Sequence, residues 1–184
     1  MVSASSVRGS APSLGAEPFR DYCRKLAAGV AVVTSCGPSG WSGTTVSTVT
    51  SVSMDPPLLM CCVRPCSQTL AAIRAAGCFA VHLLTDDQAG LADRFSRSPG
   101  EGSRFAGIEG QVQLVDGSPV IAGALAVGWC DLYSLDEIGD HVVVYGRLTN
   151  TRVGQGRPLV WHERSYRHIE AMSPDGVNGR GGGS

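Results

Sequence analysis

The sequence predicts a mainly β protein, a β-barrel with a few flanking helices. Three observations carry that expectation. Most of the chain between Val30 and His162 falls into short runs of β-branched and apolar residues punctuated by glycine and proline, the pattern of strands and turns. Segments with a helical spacing of apolar residues are few, short and set between those runs. No strand–helix–strand unit recurs along the chain, which argues against a doubly wound parallel sheet.

The elements follow in order. Pro18 opens a helix with the apolar stripe Phe19, Tyr22, Cys23 and Leu26, and Gly29 is its stop. Val30–Cys36 and Trp41–Met54 form a hairpin around Gly37-Pro38-Ser39-Gly40. Asp55-Pro56-Pro57 breaks the second strand, because proline cannot donate to a ladder, and Leu58–Val63 starts a buried neighbour. Leu70–Ala76 is a short helix ending at Gly77, and Cys78–Leu84 is another strand. Thr85-Asp86-Asp87-Gln88 is a capping box for a helix running to Phe95. Arg97–Gly107 reads as a polar, glycine-bearing loop long enough to be functional or mobile. Two long strands, Ala124–Leu135 and Val142–Val153, are joined by a turn at Glu137-Ile138-Gly139-Asp140, and Leu159–His162 closes the sheet. Residues 1–17 and the glycine-rich 173–184 are expected to be flexible tails, leaving 18–172 as one domain.

Composition narrows the function. At 184 residues and 43% hydrophobic content the chain can bury one substantial core. A net charge of −1 supplies no basic field for a nucleic-acid partner. The start of the chain has no apolar segment suited to export, and no apolar run is long enough for a bilayer, so a soluble cytoplasmic protein without membrane partners is expected. The seven cysteines are odd in number, and in a reducing compartment they do not form a disulfide framework. Cys61 and Cys62 point to opposite faces of their strand, and no second Cys/His pair stands at zinc spacing, so the thiols read as small core residues and no metal is expected.

The stretch Gly43–Leu58 carries the most chemical information. Its alternating set Thr45, Ser47, Val49 and Ser51 is small and mostly hydroxylated, while Thr44, Val46, Thr48, Thr50 and Val52 are all β-branched. Small hydroxyls let a flat ligand approach the backbone and bond to donor or acceptor edges, although the same pattern fits a solvated edge strand. Arg64-Pro65-Cys66-Ser67-Gln68-Thr69 places two hydroxyls where a helix begins, which makes an anion pocket or an ordinary N-cap. No Gly-x-Gly-x-x-Gly follows a strand, no Walker loop is present and no Gly-x-Ser-x-Gly elbow occurs, so neither a Rossmann-type nucleotide site nor a serine hydrolase is indicated.

The order Gly-x-Thr-x-Ser…Ser-Val-Ser-x-Asp-Pro-Pro-Leu, then Ser67-Gln68-Thr69, Phe79-Ala80-Val81-His82-Leu83-Leu84 and Gly139-Asp140-His141 resembles the flavin reductase family. Within it, the chain is most similar to the small reductase components of two-component flavin-dependent monooxygenases, over Phe19 to Glu170. The resemblance implies an FMN-binding split barrel of Greek-key type that transfers hydride from NADH, in preference to NADPH, to FAD or FMN. It implies that Thr45, Val46 and Ser47 hold the isoalloxazine and that Ser51 reaches towards the ribityl chain. Cys66, Ser67, Gln68 and Thr69 would surround the phosphate, and Arg94 and Phe95 would close over the flavin. His141 would position the nicotinamide, Tyr166 would stack on the pyridine nucleotide and Arg167 would meet its phosphates. Reduced flavin would diffuse to a separate monooxygenase, and the active form would be a homodimer. Read without the family, Ser67 is an N-cap, Arg94 a solvated arginine, Phe95 a core residue, His141 a turn residue, and Tyr166 and Arg167 a surface tail. Two departures stand out: His82 replaces a frequent asparagine, and Cys66 takes a position more often small and polar. A non-catalytic flavin- or haem-binding split barrel and a pyridoxamine-phosphate-oxidase-like enzyme are the rival readings, and Gly139-Asp140-His141 favours the reductase over both.

Overall fold

The computed structural model describes residues 14–97 and 103–171. Helix α1 (Ala16–Arg24) begins two residues before Pro18, which sits in the first turn where an N–H has no helical partner. The helix stops well before Gly29, because Ala28–Gly29 is drawn into a short strand, β1. No residue of α1 is buried, and Phe19 and Tyr22 stand 57% and 67% exposed, so its apolar stripe has no cover within the described residues. The stretches expected as flexible tails lie outside the described residues, apart from 14–17, whose last two residues open α1.

Strands β2 (Ala31–Gly37) and β3 (Gly40–Val46) form the expected hairpin around Pro38-Ser39. The expected single strand to Met54 instead breaks at residues 47–49 and resumes as β4 (Thr50–Met54). The Thr48 hydroxyl accepts the Cys62 N–H at 2.8 Å, tying this break to the next strand, β5 (Pro57–Val63). Helix α2 (Gln68–Ala76) is capped by Ser67 and ends at Gly77 in the left-handed conformation that glycine favours. Strand β6 (Cys78–Leu83) leads to the Thr85/Gln88 capping box, both bonds of which form. A single 3₁₀ turn then precedes helix α3 (Ala89–Ser96).

Two hairpins go beyond the expected elements. β7 (Val112–Val115) and β8 (Ser118–Ile121) turn at Asp116-Gly117, and β11 (Leu159–His162) and β12 (Ser165–His168) turn at Glu163-Arg164. Both turns have positive φ at their two central residues, the geometry whose twist suits a tight hairpin. The second lacks glycine and is braced from outside: Glu163 pairs with Lys25, and its N–H donates to the Arg24 carbonyl at 3.1 Å. Between these hairpins lie the long strands β9 (Ala126–Ile138) and β10 (His141–Val153), paired in antiparallel register with bulges near Tyr145 and Leu148.

The main sheet has seven antiparallel strands in the order β3-β2-β6-β9-β10-β5-β4. Its terminal strands are consecutive in the chain, and β3 packs against β5. No ladder joins the two ends, so the barrel is split and β3 keeps one unpaired backbone edge. The smaller sheets β1-β11-β12 and β7-β8 flank it.

The inside of the curl is filled by Val33, Cys61, Phe79 and Val144, with Leu70 and Ile73 of α2 inserted as a plug. A second cluster under α3 gathers Val32, Leu84, Phe95, Phe105 and Ile121. Phe95 and Phe105 meet edge to face at 5.0 Å, and Phe95 lies directly under Gly43, where an added Cβ would come within 2.7 Å of its ring. Cys61 and Cys130 are core thiols, pushed up to about 12 by burial.

His82, the departure from the family pattern, is fully buried. Its Nδ1 lies 3.0 Å from the Val32 carbonyl and its Nε2 accepts the Ile121 N–H at 3.2 Å, so Nδ1 carries the proton and the neutral ring bridges β2 and β8. Burial pulls its pKa down to about 4. The substitution belongs to the core.

Candidate functional site

A groove runs along the free edge of β3. Its central part, about 360 Å³, is walled by Thr44, Thr45 and Val46 on one side and by Cys62, Val63 and Arg64 of β5 on the other. Cys66, Ser67 and Gln68 at the start of α2 form one end, with Ser96 and Arg104 above. A second part of about 300 Å³ shares Thr45, Val46 and Ser96 and adds Ser47, Asp93, Trp161 and Tyr166. The shared walls make the two parts continuous. Because β3 ends the sheet, its outward N–H and C=O groups have no ladder partners; Arg104 takes the Gly43 carbonyl, and the groups of Thr45 stand open to the groove, which suits the edge of a flat heterocycle.

The side chains refine the sequence expectations. The Thr45 hydroxyl donates to the Ala92 carbonyl at 2.7 Å, so it anchors α3 to β3 and leaves mainly backbone to face a ligand. Ser47 is exposed and lies in the second part of the groove. Ser51 is exposed on β4 opposite Leu59, outside the groove walls. Ser67 caps α2 by accepting the Thr69 N–H at 3.2 Å. Thr69 itself is fully buried and its hydroxyl meets Ser42 Oγ at 3.0 Å, so the helix turn carries it away from the groove while Cys66, Ser67 and Gln68 stay on its wall.

Arg104 is the wall residue that sequence reading missed. Its guanidinium donates to the carbonyls of Gly43 and Arg97, while Nε finds no acceptor among the described residues. Partial burial lowers its pKa from the ordinary arginine value. With Arg64 it gives the anion end of the groove a positive character, beside helix N–H groups that already favour negative charge. The only sequence signal was its place in a long polar loop, of which residues 98–102 lie outside the described residues. Arg94 and Phe95 do not line the groove. Arg94 donates to the Ala106 carbonyl at 2.7 Å and laces α3 to the segment carrying Arg104, and Phe95 backs Gly43 from the core.

His141 opens β10 at the turn. Its Nδ1 lies 2.8 Å from Asp140 Oδ1, and this hydrogen bond chiefly holds the Asp140 carboxyl below the usual carboxylate range, with Arg64 adding to the effect. Val142 pairs with Val63, so His141 and Arg64 follow outward from that pair at the edge of the groove. Tyr166 reaches the second part, packs edge to face on Trp161 at 5.0 Å and donates to Asp93 Oδ1 at 3.0 Å. Burial first, then this carboxylate, pushes its pKa up to about 12. Successive side chains alternate along a strand, so Arg167 on β12 points away from the groove that Tyr166 lines.

Among the described residues the groove has no cluster of acids and bases for hydrolysis, and no group of His, Cys, Asp or Glu is placed to hold a metal ion. All seven cysteines are free thiols. Among the described residues no helix is long and apolar enough to cross a membrane. The open strand edge and the capped helix start share one groove on a split β-barrel, a geometry that suits a flat ring joined to a phosphate. The chain belongs to the flavin reductase like domain family, whose model matches residues 23–170. It is 33% identical to the FMN reductase (NADH) RutF of Ancylobacter novellus over 168 residues, 90% of this chain and 91% of that protein. It is 31% identical to the flavin-dependent monooxygenase reductase subunit HsaB of Rhodococcus jostii, covering 88% and 82% of the two chains. Its fold superposes on the NADH:FAD oxidoreductase SgcE6 of Streptomyces globisporus with a TM-score of 0.79 and 27% identity, covering 89% and 99%.

Proposed function

We propose that this protein is an NADH-dependent flavin reductase that binds FAD or FMN in the β3 groove and hands the reduced flavin to a separate flavin-dependent monooxygenase. One observation carries the reading: the free edge of β3 at Thr45 and the capped start of α2 at Ser67-Gln68 share a single groove. A groove with a strand edge along it and a helix start at its end suits a flat ring joined by a short chain to a phosphate. A flavin held there would supply the redox chemistry, as a hydride acceptor from a stacked nicotinamide.

The residues orient and shield. Backbone groups of Thr45, which face away from β2 in the hairpin register, fix one edge of the ring, and the bond from the Thr45 hydroxyl to Ala92 keeps α3 against it. Ser67, Gln68, Arg64 and Arg104 hold the phosphate. Tyr166, fixed by Asp93 and Trp161, covers the nicotinamide side, and His141 positions the nicotinamide from the Arg64 edge. A charged acid–base group is absent from these roles because a hydride passes directly between stacked rings. The exposed Phe19 and Tyr22 of α1, with Leu26 just beyond its end, support a homodimer that covers them.

The test is NADH oxidation with FAD, with FMN and without flavin, each against a protein-free blank. Flavin should accelerate it severalfold or more in the presence of the protein. Equal rates with and without protein for both flavins overturn the proposal. A membrane that passes flavin but not protein, set between this enzyme and a flavin-dependent monooxygenase, tests the hand-over: product should still form, more slowly than in a mixture.

A further inference from the structure

The end of the groove lined by Tyr166 has a chemical character that positioning alone does not require. Its walls include the aromatic rings of Trp161 and Tyr166, and among the described residues lining it Asp93 alone carries a charge. That carboxylate is anchored: Oδ1 accepts the Tyr166 hydroxyl at 3.0 Å, and the phenol ring is itself seated edge to face on Trp161 at 5.0 Å. Burial and then Asp93 push the tyrosine pKa up to about 12, so the phenol stays a donor and keeps the carboxylate in place. Two aromatic π-systems and one fixed carboxylate together favour a flat organic cation. A dihydronicotinamide ring enters neutral and leaves as such a cation. Its C4–H bond breaks, and the hydride takes both bonding electrons into a new N5–H bond on the flavin. Positive charge stays on the nicotinamide and the matching negative charge arrives on the flavin.

We propose that Asp93, held by Tyr166, stabilises the positive charge that develops on the nicotinamide ring as hydride leaves it. The inference rests on the nicotinamide reading of this end of the groove and deepens it. A carboxylate that favours the charged ring over the neutral one stabilises the transition state more than the bound substrate, so it speeds the transfer rather than merely tightening binding. Because Tyr166 already fixes the carboxylate, little reorganisation is needed at the moment of reaction. Asp93 moves no proton in this role, in keeping with direct hydride transfer.

Asp93→Asn removes the charge and keeps an acceptor for the Tyr166 hydroxyl. Calorimetric titrations of flavin-saturated protein compare NAD⁺ with the tetrahydropyridine analogue of NADH, whose ring is neutral and donates no hydride. The variant should bind NAD⁺ about threefold to fivefold more weakly, the scale of one partly exposed ion pair, and the neutral analogue almost unchanged. Single-turnover flavin reduction by NADH should slow by a similar factor. The wild-type protein gives a readout that does not depend on the variant folding. Raising salt from about 50 to about 500 mM should weaken NAD⁺ more than the neutral analogue, since the two share the same phosphates. Equal effects on the two ligands, or an unchanged single-turnover rate, overturn the electrostatic role of Asp93 while leaving the flavin site standing. Wild-type protein that binds neither nicotinamide ligand removes the nicotinamide reading of this end and the inference with it.

Discussion

The Tyr166 hydroxyl donates a 3.0 Å hydrogen bond to Asp93 Oδ1, joining β12 to α3 across one end of the groove. Both residues line this part of the groove, so the bond ties the helix and strand portions of its wall together. Trp161 supports the phenol ring from behind.

Tyr166→Phe should widen the nicotinamide end without unfolding the protein. The ring and its contact with Trp161 survive, and the lost bond is worth about 1 kcal/mol. The apparent KM for NADH should rise severalfold while flavin affinity and melting temperature change little. Burial and Asp93 raise the tyrosine pKa to about 12 in the fold, against about 10 in an unfolded chain. The unfolded state therefore releases this proton first, and the stability linked to it is complete below pH ~10 and is lost as pH rises towards 12. Alkaline melts of the wild type should show that fall, and those of Tyr166→Phe a smaller one.

Ser67→Asp tests where the phosphate sits. Aspartate caps a helix as well as serine does, so α2 should stay intact. The new carboxylate would repel a phosphate at the same place. FMN affinity should fall tenfold or more while riboflavin, which has no phosphate, binds as before. Equal losses for both would place the phosphate elsewhere.

His82 predicts a defined acid sensitivity. Its pKa is about 4 in the fold against 6.5 when free, so the unfolded chain takes up a proton that the fold refuses. Stability linked to His82 is complete above pH 6.5 and is lost as pH falls towards 4, on the order of 3 kcal/mol in all. His82→Asn should be less stable at neutral pH yet show a flatter decline over that window. Parallel pH profiles for the two proteins would contradict the account.

Much of the fold was legible because its signals are local. The Gly77 stop, the Thr85/Gln88 box and the two long strands around Gly139 each depend on residues close in sequence. The break at 47–49 was not legible, because its β-branched and hydroxylated residues match those on either side. What splits the strand is distant: the Thr48–Cys62 bond and the need to pass from one end of the sheet to the other. The Asp116-Gly117 turn was a readable hairpin signal that went unused, obscured by the short flanking strands and by Pro119.

The groove wall was legible at Thr45, Val46 and Ser67, where residue type and position in the element coincide with its lining; their roles toward a ligand belong to the proposal. Thr69 and Arg167 lie off the groove wall for one geometric reason: each follows a groove-lining residue closely enough that helix turn or strand alternation sends it elsewhere. Arg104 could not be found from sequence, since its place depends on reaching Gly43, 61 positions away.

The most direct test of the central claim is anaerobic mixing of NADH with FAD or FMN at catalytic amounts of this protein, followed through the flavin's visible absorption band. The band should bleach far faster than in the protein-free control, with one NADH consumed per flavin reduced. A flavin that stays oxidised at the control rate, with both FAD and FMN at saturating NADH, would contradict the account.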